Sequence, residues 1–391
     1  MQLLFIGFYH TFTPNLAVVN YYSTHPKEKD HFQHQCPENL KNTLYLLFLF
    51  HASFLSAQHD LLRKMTFSGY GEVYYSYDFA NPTTHEKESF IYNHKRHNEI
   101  NANLILAKAA FKDTKVRANL SLMTGNYAQY NLQAEPTWAQ WFYEANLGVK
   151  ISKKHHLWLD AGIMPSHIGF ESAISADCWT LTRSILAENS PYYETGLKIS
   201  YTTKKENLYL AFLVLNGWQH IKTPNYIKTP SIGMQMNYQF NNHWIFNYSN
   251  FIGAEKEGDS QSIRTFHNFY LQFEPKNRLG VITGFDIGSD RYNATDDGIW
   301  FSPVFIVRYP INDKIKIAFR GEYYNDKNQI IIPTNSPNGF QVSGVSTNFD
   351  FKINERLQFR IEGKIYDATD PFFLNNSQEN YSLTTNMTFK L

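Results

Sequence analysis

Leu357-Gln358-Phe359-Arg360-Ile361-Glu362-Gly363-Lys364-Ile365 alternates apolar residues with polar or charged ones along its whole length. Period two puts successive side chains on opposite faces of an extended strand, so this segment has one greasy face and one ionic face. Tyr143 to Ile151 (YEANLGVKI) and Tyr193 to Tyr201 (YETGLKISY) repeat the pattern. A soluble sheet would turn the greasy face inward and the ions outward, whereas a large membrane barrel presents the greasy face to lipid and the ions to a watery lumen. Alternation alone leaves both readings open, and the rest of the chain decides between them.

Outward from this stretch the sequence divides into strands near 66–79, 99–111, 115–123, 141–152, 156–164, 192–202, 207–216, 231–240, 244–253, 264–274, 279–288, 298–309, 315–324, 340–353, 357–366 and 381–391. Every second connector is a short polar turn, such as Lys112-Asp113-Thr114, Asn241-Asn242-His243 or Asn354-Glu355-Arg356. The connectors between them are longer, and the longest runs from Pro165 to Pro191. One end of the molecule is trimmed and the other decorated, as in bacterial barrels with short periplasmic turns and long external loops. The expectation is an all-β fold: a closed antiparallel transmembrane β-barrel of about 16 strands (range 14–18), with both strand termini on the periplasmic side.

Four observations favour the membrane. There are 26 Tyr and 31 Phe in a chain of negative mean hydropathy, −0.43, and interfacial aromatic girdles consume such residues. Aromatics cluster at strand ends, among them Tyr74, Tyr75, Tyr77, Trp141, Trp158, Trp244, Trp300, Tyr323 and Tyr324. Lys41 precedes an apolar run, Leu44 to Leu55, and Leu55-Ser56-Ala57 suits signal cleavage before Gln58. No later segment approaches the roughly twenty apolar residues of a membrane helix. Finally, the chain ends inside its last strand, which suits a barrel that closes last strand on first. The expected organisation is therefore residues 41–57 as signal peptide and 58–391 as barrel. Residues 1–40 have no sustained period and are excluded from the fold. They read either as sequence upstream of the true start or as an unusually long leader.

Other chemistry is absent from the sequence. There is no glycine-rich phosphate loop, no G-x-S-x-G elbow and no H-E-x-x-H, so no enzyme, cofactor or metal site is expected. The net charge of +1 gives no nucleic-acid footprint. Cys178 is the single cysteine of the expected mature chain and has no catalytic partner pattern beside it. His94 and His97 fall in a basic loop and read as a solvated or rim-lining cluster. Strand one begins close behind the expected cleavage site, which leaves no plug of the kind found in transporters of about 22 strands.

Ile163-Met164-Pro165-Ser166-His167-Ile168-Gly169-Phe170-Glu171-Ser172-Ala173-Ile174, followed by Trp179 to Glu194 (WTLTRSILAENSPYYE), resembles the OmpL-like β-barrel porins of Gram-negative outer membranes. Phe90 to His94, Leu215 to Gln219 and Gly284 to Gly288 carry the resemblance further, and it covers roughly residues 66–391. It implies an outer-membrane barrel of porin type; sixteen strands leave room for an aqueous lumen, and the expected function is passive diffusion of ions and small hydrophilic solutes.

Strand parity then names the inward residues. Glu144, Lys150, Glu194, Lys198, Asp286, Arg308, Arg320, Glu322, Asp350, Arg360 and Glu362 are the expected pore-lining set, and Glu72, Arg117, Asp160, Lys316 and Lys352 share their parity. Arg308, Arg320 and Arg360 could form a basic strip facing the acids, giving a transverse field that discriminates ions by sign. The alternative is that these charges pair and merely keep the lumen wet. The 165–191 loop carries Glu171, Asp177, Arg183 and Glu188 among apolar residues, too greasy for an exposed loop. It is expected to fold into the lumen as a constriction, with a surface cap or oligomer contact as the alternative. The expected partners are outer-membrane lipid, small solutes or ions, and a second and third copy in a trimer. A structural or adhesive barrel without transport is the competing function.

Overall fold

The computed structural model describes residues 62–255, 262–291 and 296–391. The expected signal peptide and the 1–40 stretch lie outside the described residues. Strands β1 (Met65–Asp78), β2 (Ile100–Lys112), β3 (Val116–Thr124), β4 (Phe142–Lys150), β5 (His156–Pro165), β6 (Tyr193–Thr202), β7 (Leu208–Leu215) and β8 (Ser231–Gln239) form the first half. The second half is β9 (Trp244–Gly253), β10 (Arg264–Phe273), β11 (Gly280–Arg291), β12 (Asp297–Pro310), β13 (Ile315–Asp326), β14 (Phe340–Lys352), β15 (Leu357–Ala368) and β16 (Glu379–Lys390).

Each strand pairs antiparallel with its sequence neighbours, and β1 pairs with β16 from Tyr70 opposite Lys390 to Asp78 opposite Ser382. The sixteen strands therefore close into a barrel with no free edge, which satisfies every backbone ladder inside a bilayer. No helix among the described residues is long and apolar enough to cross a membrane. The turns at 113–115, 151–155, 203–207, 240–243, 274–279, 311–314 and 353–356 share one rim with the start of β1 and the end of β16. Long loops occupy the other rim and hold two short helices, α1 (Asn126–Asn131) and α2 (Ile185–Glu188).

Outward positions are apolar and uncovered. Leu197, Ile199, Phe305 and Phe319 each leave about half their surface exposed on the outer face. Trp141, Trp244, Tyr309 and Tyr381 stand exposed near the rims as girdle residues. Four aromatics in the expected girdle do not. Tyr74, Trp300 and Tyr324 are buried on the inner face, and Trp158 stacks on the guanidinium of inward-facing Arg117 at 4.4 Å.

These residues reveal a feature that alternation hides: the interior near the long-loop rim is an apolar core. Phe251, Phe266, Trp300, Tyr324, Phe340 and Tyr366 project inward from strand ends and pack against Phe90, Ile168, Ile185, Ile332 and Phe373 of the loops. Phe90 meets Phe340 edge-on with ring centroids 4.9 Å apart. Burying a side chain of this size contributes about 1.5–3 kcal/mol, so the loops are held inside the barrel mouth rather than splayed above it. The inner face thus carries an apolar core under the loops, with paired ions such as Arg264 and Asp290 beside it, and is ionic below.

Candidate functional site

The 165–191 connector enters the barrel and crosses it. At its start, His167 is pinned between two strands: its Nδ1 lies 2.7 Å from Glu194 on β6, and its Nε2 donates to the Asn250 carbonyl on β9 at 2.7 Å. Burial alone would lower the His167 pKa, but the Glu194 carboxylate outweighs it and holds the imidazole above its usual value. The chain then passes β10 and β11. Here Phe170 lies over Gly284, where an added Cβ would sit 2.5 Å from the ring, and Trp179 lies over Gly280, where it would sit 2.7 Å away. A side chain at either glycine would push the loop off the wall.

Against β12 to β16 the loop is fixed by charge. Arg320 on β13 donates to Thr180 Oγ1 at 2.8 Å, to the Thr182 carbonyl at 2.7 Å and to Glu362 at 2.9 Å. Its guanidinium also lies 3.2 Å from Glu322 and 3.7 Å from Glu171. The same carboxylates collect loop amides: Thr182 N–H donates to Glu362 at 2.5 Å, and Ile185 N–H donates to Glu322 at 2.6 Å. Arg360 on β15 bonds Asp350 at 2.6 Å and reaches the carbonyls of Ser175 and Cys178 at 2.7 and 3.2 Å. Lys364 caps the Arg183 carbonyl at 2.9 Å. Arg183 itself ties the loop internally, donating to the carbonyls of Ser172, Ala173 and Leu181.

The acids of the loop have separate tasks. Glu171 accepts from Ser184 N–H and hydroxyl, and burial pushes its carboxyl up despite the pull of Arg320. Glu188 accepts from the backbone of Tyr92 and Asn93, joining this loop to the 79–99 loop. Asp177 is half exposed and pairs with Lys390 near the short-turn rim. Burial pushes the Cys178 thiol up, the opposite of what a nucleophile needs.

The whole expected pore-lining set faces inward, but its surroundings are not an open water column. Arg320, Glu322, Asp350, Arg360 and Glu362 are buried beneath the loop, where they neutralise one another and its backbone. The arginines therefore do not form a free basic strip opposed to a free acidic row. The physical reason is that a loop crossing a lumen exposes amides and carbonyls, and paired wall charges satisfy them. Glu194 serves His167, and buried Asp286 accepts from Asn268 at 2.6 Å. Arg308 pairs with Glu274 and lies over the Trp179 ring at 4.3 Å. Glu144 pairs with Lys108 at 2.6 Å, while Lys150 and Lys198 remain half-buried.

His94 and His97 also depart from expectation. They are buried rather than solvated: His94 lies 2.7 Å from Glu72 on β1, and His97 Nδ1 accepts from Asp78 N–H at 2.9 Å. His167, Lys364 and Asn348, whose Oδ1 accepts from Leu181 N–H at 3.0 Å, hold the loop but stand outside the expected set. Lys364 had the right parity, whereas nothing in the local sequence marks His167 as an anchor.

A family model described as "Putative beta-barrel porin-2, OmpL-like" matches residues 64–391. No curated protein sequence matches this one. Among solved structures, the fold is similar to the anion-selective porin from Comamonas acidovorans, with a TM-score of 0.56 at 8% identity over 84% of this chain and 99% of that one. It is equally similar to the outer membrane channel DcaP of Acinetobacter baumannii, at 0.56 and 8% over 84% and 97%. The trimer form of OmpT from Vibrio cholerae gives 0.52 at 9% over 84% and 99%. At these identities the likeness is one of fold.

Proposed function

This chain belongs to the OmpL-like β-barrel porin family and is an outer-membrane porin, and on that premise we propose that ions and small hydrophilic solutes diffuse passively along one side of its inserted loop. The observation that carries the path is unequal burial of inward charge. On the β13–β15 wall the side chains of Arg320 and Arg360 are 0% and 1% exposed. On the β2–β6 wall, Lys108 and Arg117 keep 32% and 29% exposure although each is paired, with Glu144 and Asp160. Lys150 and Lys198 stand on that same wall, half-buried and without an ion pair of their own among the described residues. The loop is seated on both walls: its segment from Cys178 to Glu188 is buried, Phe170 rests on β10 and β11, and Ala173, Ile174 and Ala176 pack against an apolar cluster with Leu104, Met123, Ile163 and Tyr193 of β2, β3, β5 and β6.

The wet passage in this reading runs along the charged short-turn half of the β2–β6 wall, past Lys108, Arg117, Lys150 and Lys198, and the loop, seated on the apolar half of that wall, is the constriction. The buried arginines hold it in place, while the accessible lysines set ion preference. In planar bilayers the purified protein is expected to open ion-conducting pores without ligand or energy source. Lys150→Gln with Lys198→Gln is expected to shift the reversal potential toward cations under a salt gradient. An unchanged potential would put the passage elsewhere.

Assembly and export complete the reading. The apolar outward belt contacts outer-membrane lipid, and part of it packs in a trimer like that of the OmpT structure; cross-linking in native membranes would show the copy number. Export uses segment 41–57. A mature N-terminus at Met1 would contradict that part.

A further inference from the structure

We propose that the short-turn mouth of the barrel holds a binding site for a small soluble polyanion, of the class of di- and oligophosphates or polycarboxylates. This deepens the porin reading by naming a solute class. The site is a cavity of about 310 Å³ under the inserted loop, lined by Trp179 from that loop and by the β10–β11 turn and the ends of β12 and β13. Lys276, Arg278, Arg308 and Lys316 surround it, against the single carboxylate of Glu274, with His243 at its edge.

Glu274 is committed to Arg308, and Arg308 is held in turn over the Trp179 ring. That leaves Lys276, Arg278 and Lys316, all exposed and without an ion pair of their own among the described residues. Three unpaired cations around one pocket raise the local anion concentration, and a ligand bearing several charges gains from all three at once. The aromatic roof is built in, since Gly280 leaves room for Trp179 that any side chain there would take. Lys316 has lumen-facing parity, and the pocket opens to the interior mouth rather than to the lipid belt, which selects a dissolved anion over a lipid headgroup.

A second cavity beside it shares Lys316 and adds Lys314, Lys352, Arg356 and Lys390. There Asp313, Asp350 and Glu355 offset much of the charge, so the anion is expected in the first cavity, with the second as its approach.

The test is calorimetric titration of pyrophosphate into detergent-solubilised full-length protein at low salt. The wild type is expected to bind, and Lys276→Gln/Arg278→Gln/Lys316→Gln to weaken binding roughly tenfold or more, because each lost contact removes a modest share at a solvent-facing site. The exchange Lys276→Arg/Arg278→Lys/Lys316→Arg keeps the charges and is expected to keep binding. Lys153→Gln/Lys154→Gln/Lys204→Gln removes three charges from the same rim away from the pocket and is expected to leave binding intact. Equal loss in both neutralised variants, or no binding by the wild type, would overturn the site. Conductance measured on the same preparations separates the two ideas: pores without pyrophosphate binding end this proposal alone, and binding without pores ends the porin reading alone.

Discussion

Arg320 sits where three carboxylates converge, with Glu362, Glu322 and Glu171 at 2.9, 3.2 and 3.7 Å. Removing one partner of a buried ionic cluster leaves the others uncompensated, at a cost of about 3–5 kcal/mol. Arg320→Met is therefore expected to release the loop, seen as rapid amide exchange and protease cleavage between residues 172 and 186. Adding Glu362→Gln to that variant should restore part of the protection. Unchanged exchange in the single variant would show that the loop is held by apolar packing alone. Lys87 gives a second residue-level test. It is buried in the 79–99 loop, donates to Ser76 Oγ at 3.1 Å, and is pushed down from 10.5 to about 7 by burial first and by Lys364 next. The folded protein favours the neutral amine while the unfolded chain carries charge up to pH 10.5, so stability present above pH 10.5 is lost as pH falls toward about 7 and is flat below. The urea midpoint in detergent should rise from pH 7 to pH 10 in the wild type and rise less in Lys87→Met. Parallel slopes would remove Lys87 from the account.

The strands were nearly all legible in the sequence, with ends displaced by no more than a few residues, because period-two alternation and turn residues act locally. Parity correctly assigned Leu197, Ile199 and Phe319 to the outward face. Phe319→Arg in β13 is expected to cost about 2–4 kcal/mol of stability in lipid bilayers, the penalty for a cation near the midplane. Arg at Gln358, which shares the inner face of β15 with Arg360, should cost little. A cost at Gln358 equal to that at Phe319 would mean the faces are wrongly assigned. The interior was less legible. Trp300 and Tyr324 fit a girdle by composition, yet they face the core because folded-in loops offer an apolar partner as lipid does. Likewise Arg360 has the parity of a pore charge, but whether a pore charge meets water or a loop carbonyl depends on contacts such as Arg360 to Ser175, far apart in sequence. Local pattern records which face a residue takes, not what covers that face.

At the scale of the molecule, a closed sixteen-stranded wall and a charged, loop-crossed interior describe a pore narrowed from within. The loop is clamped to β13–β15 by charge and packs against an apolar cluster on β2–β6, and in the proposed function it sets the width of the passage. The most direct measurement is single-channel conductance in planar bilayers for the intact protein and for a variant with residues 172–186 replaced by a short Gly-Ser linker, both verified as folded barrels. The intact protein is expected to conduct in small steps and the shortened one in clearly larger steps. Equal steps would remove the loop from the mechanism, and no conductance from either protein would contradict the porin account and favour a structural or adhesive barrel.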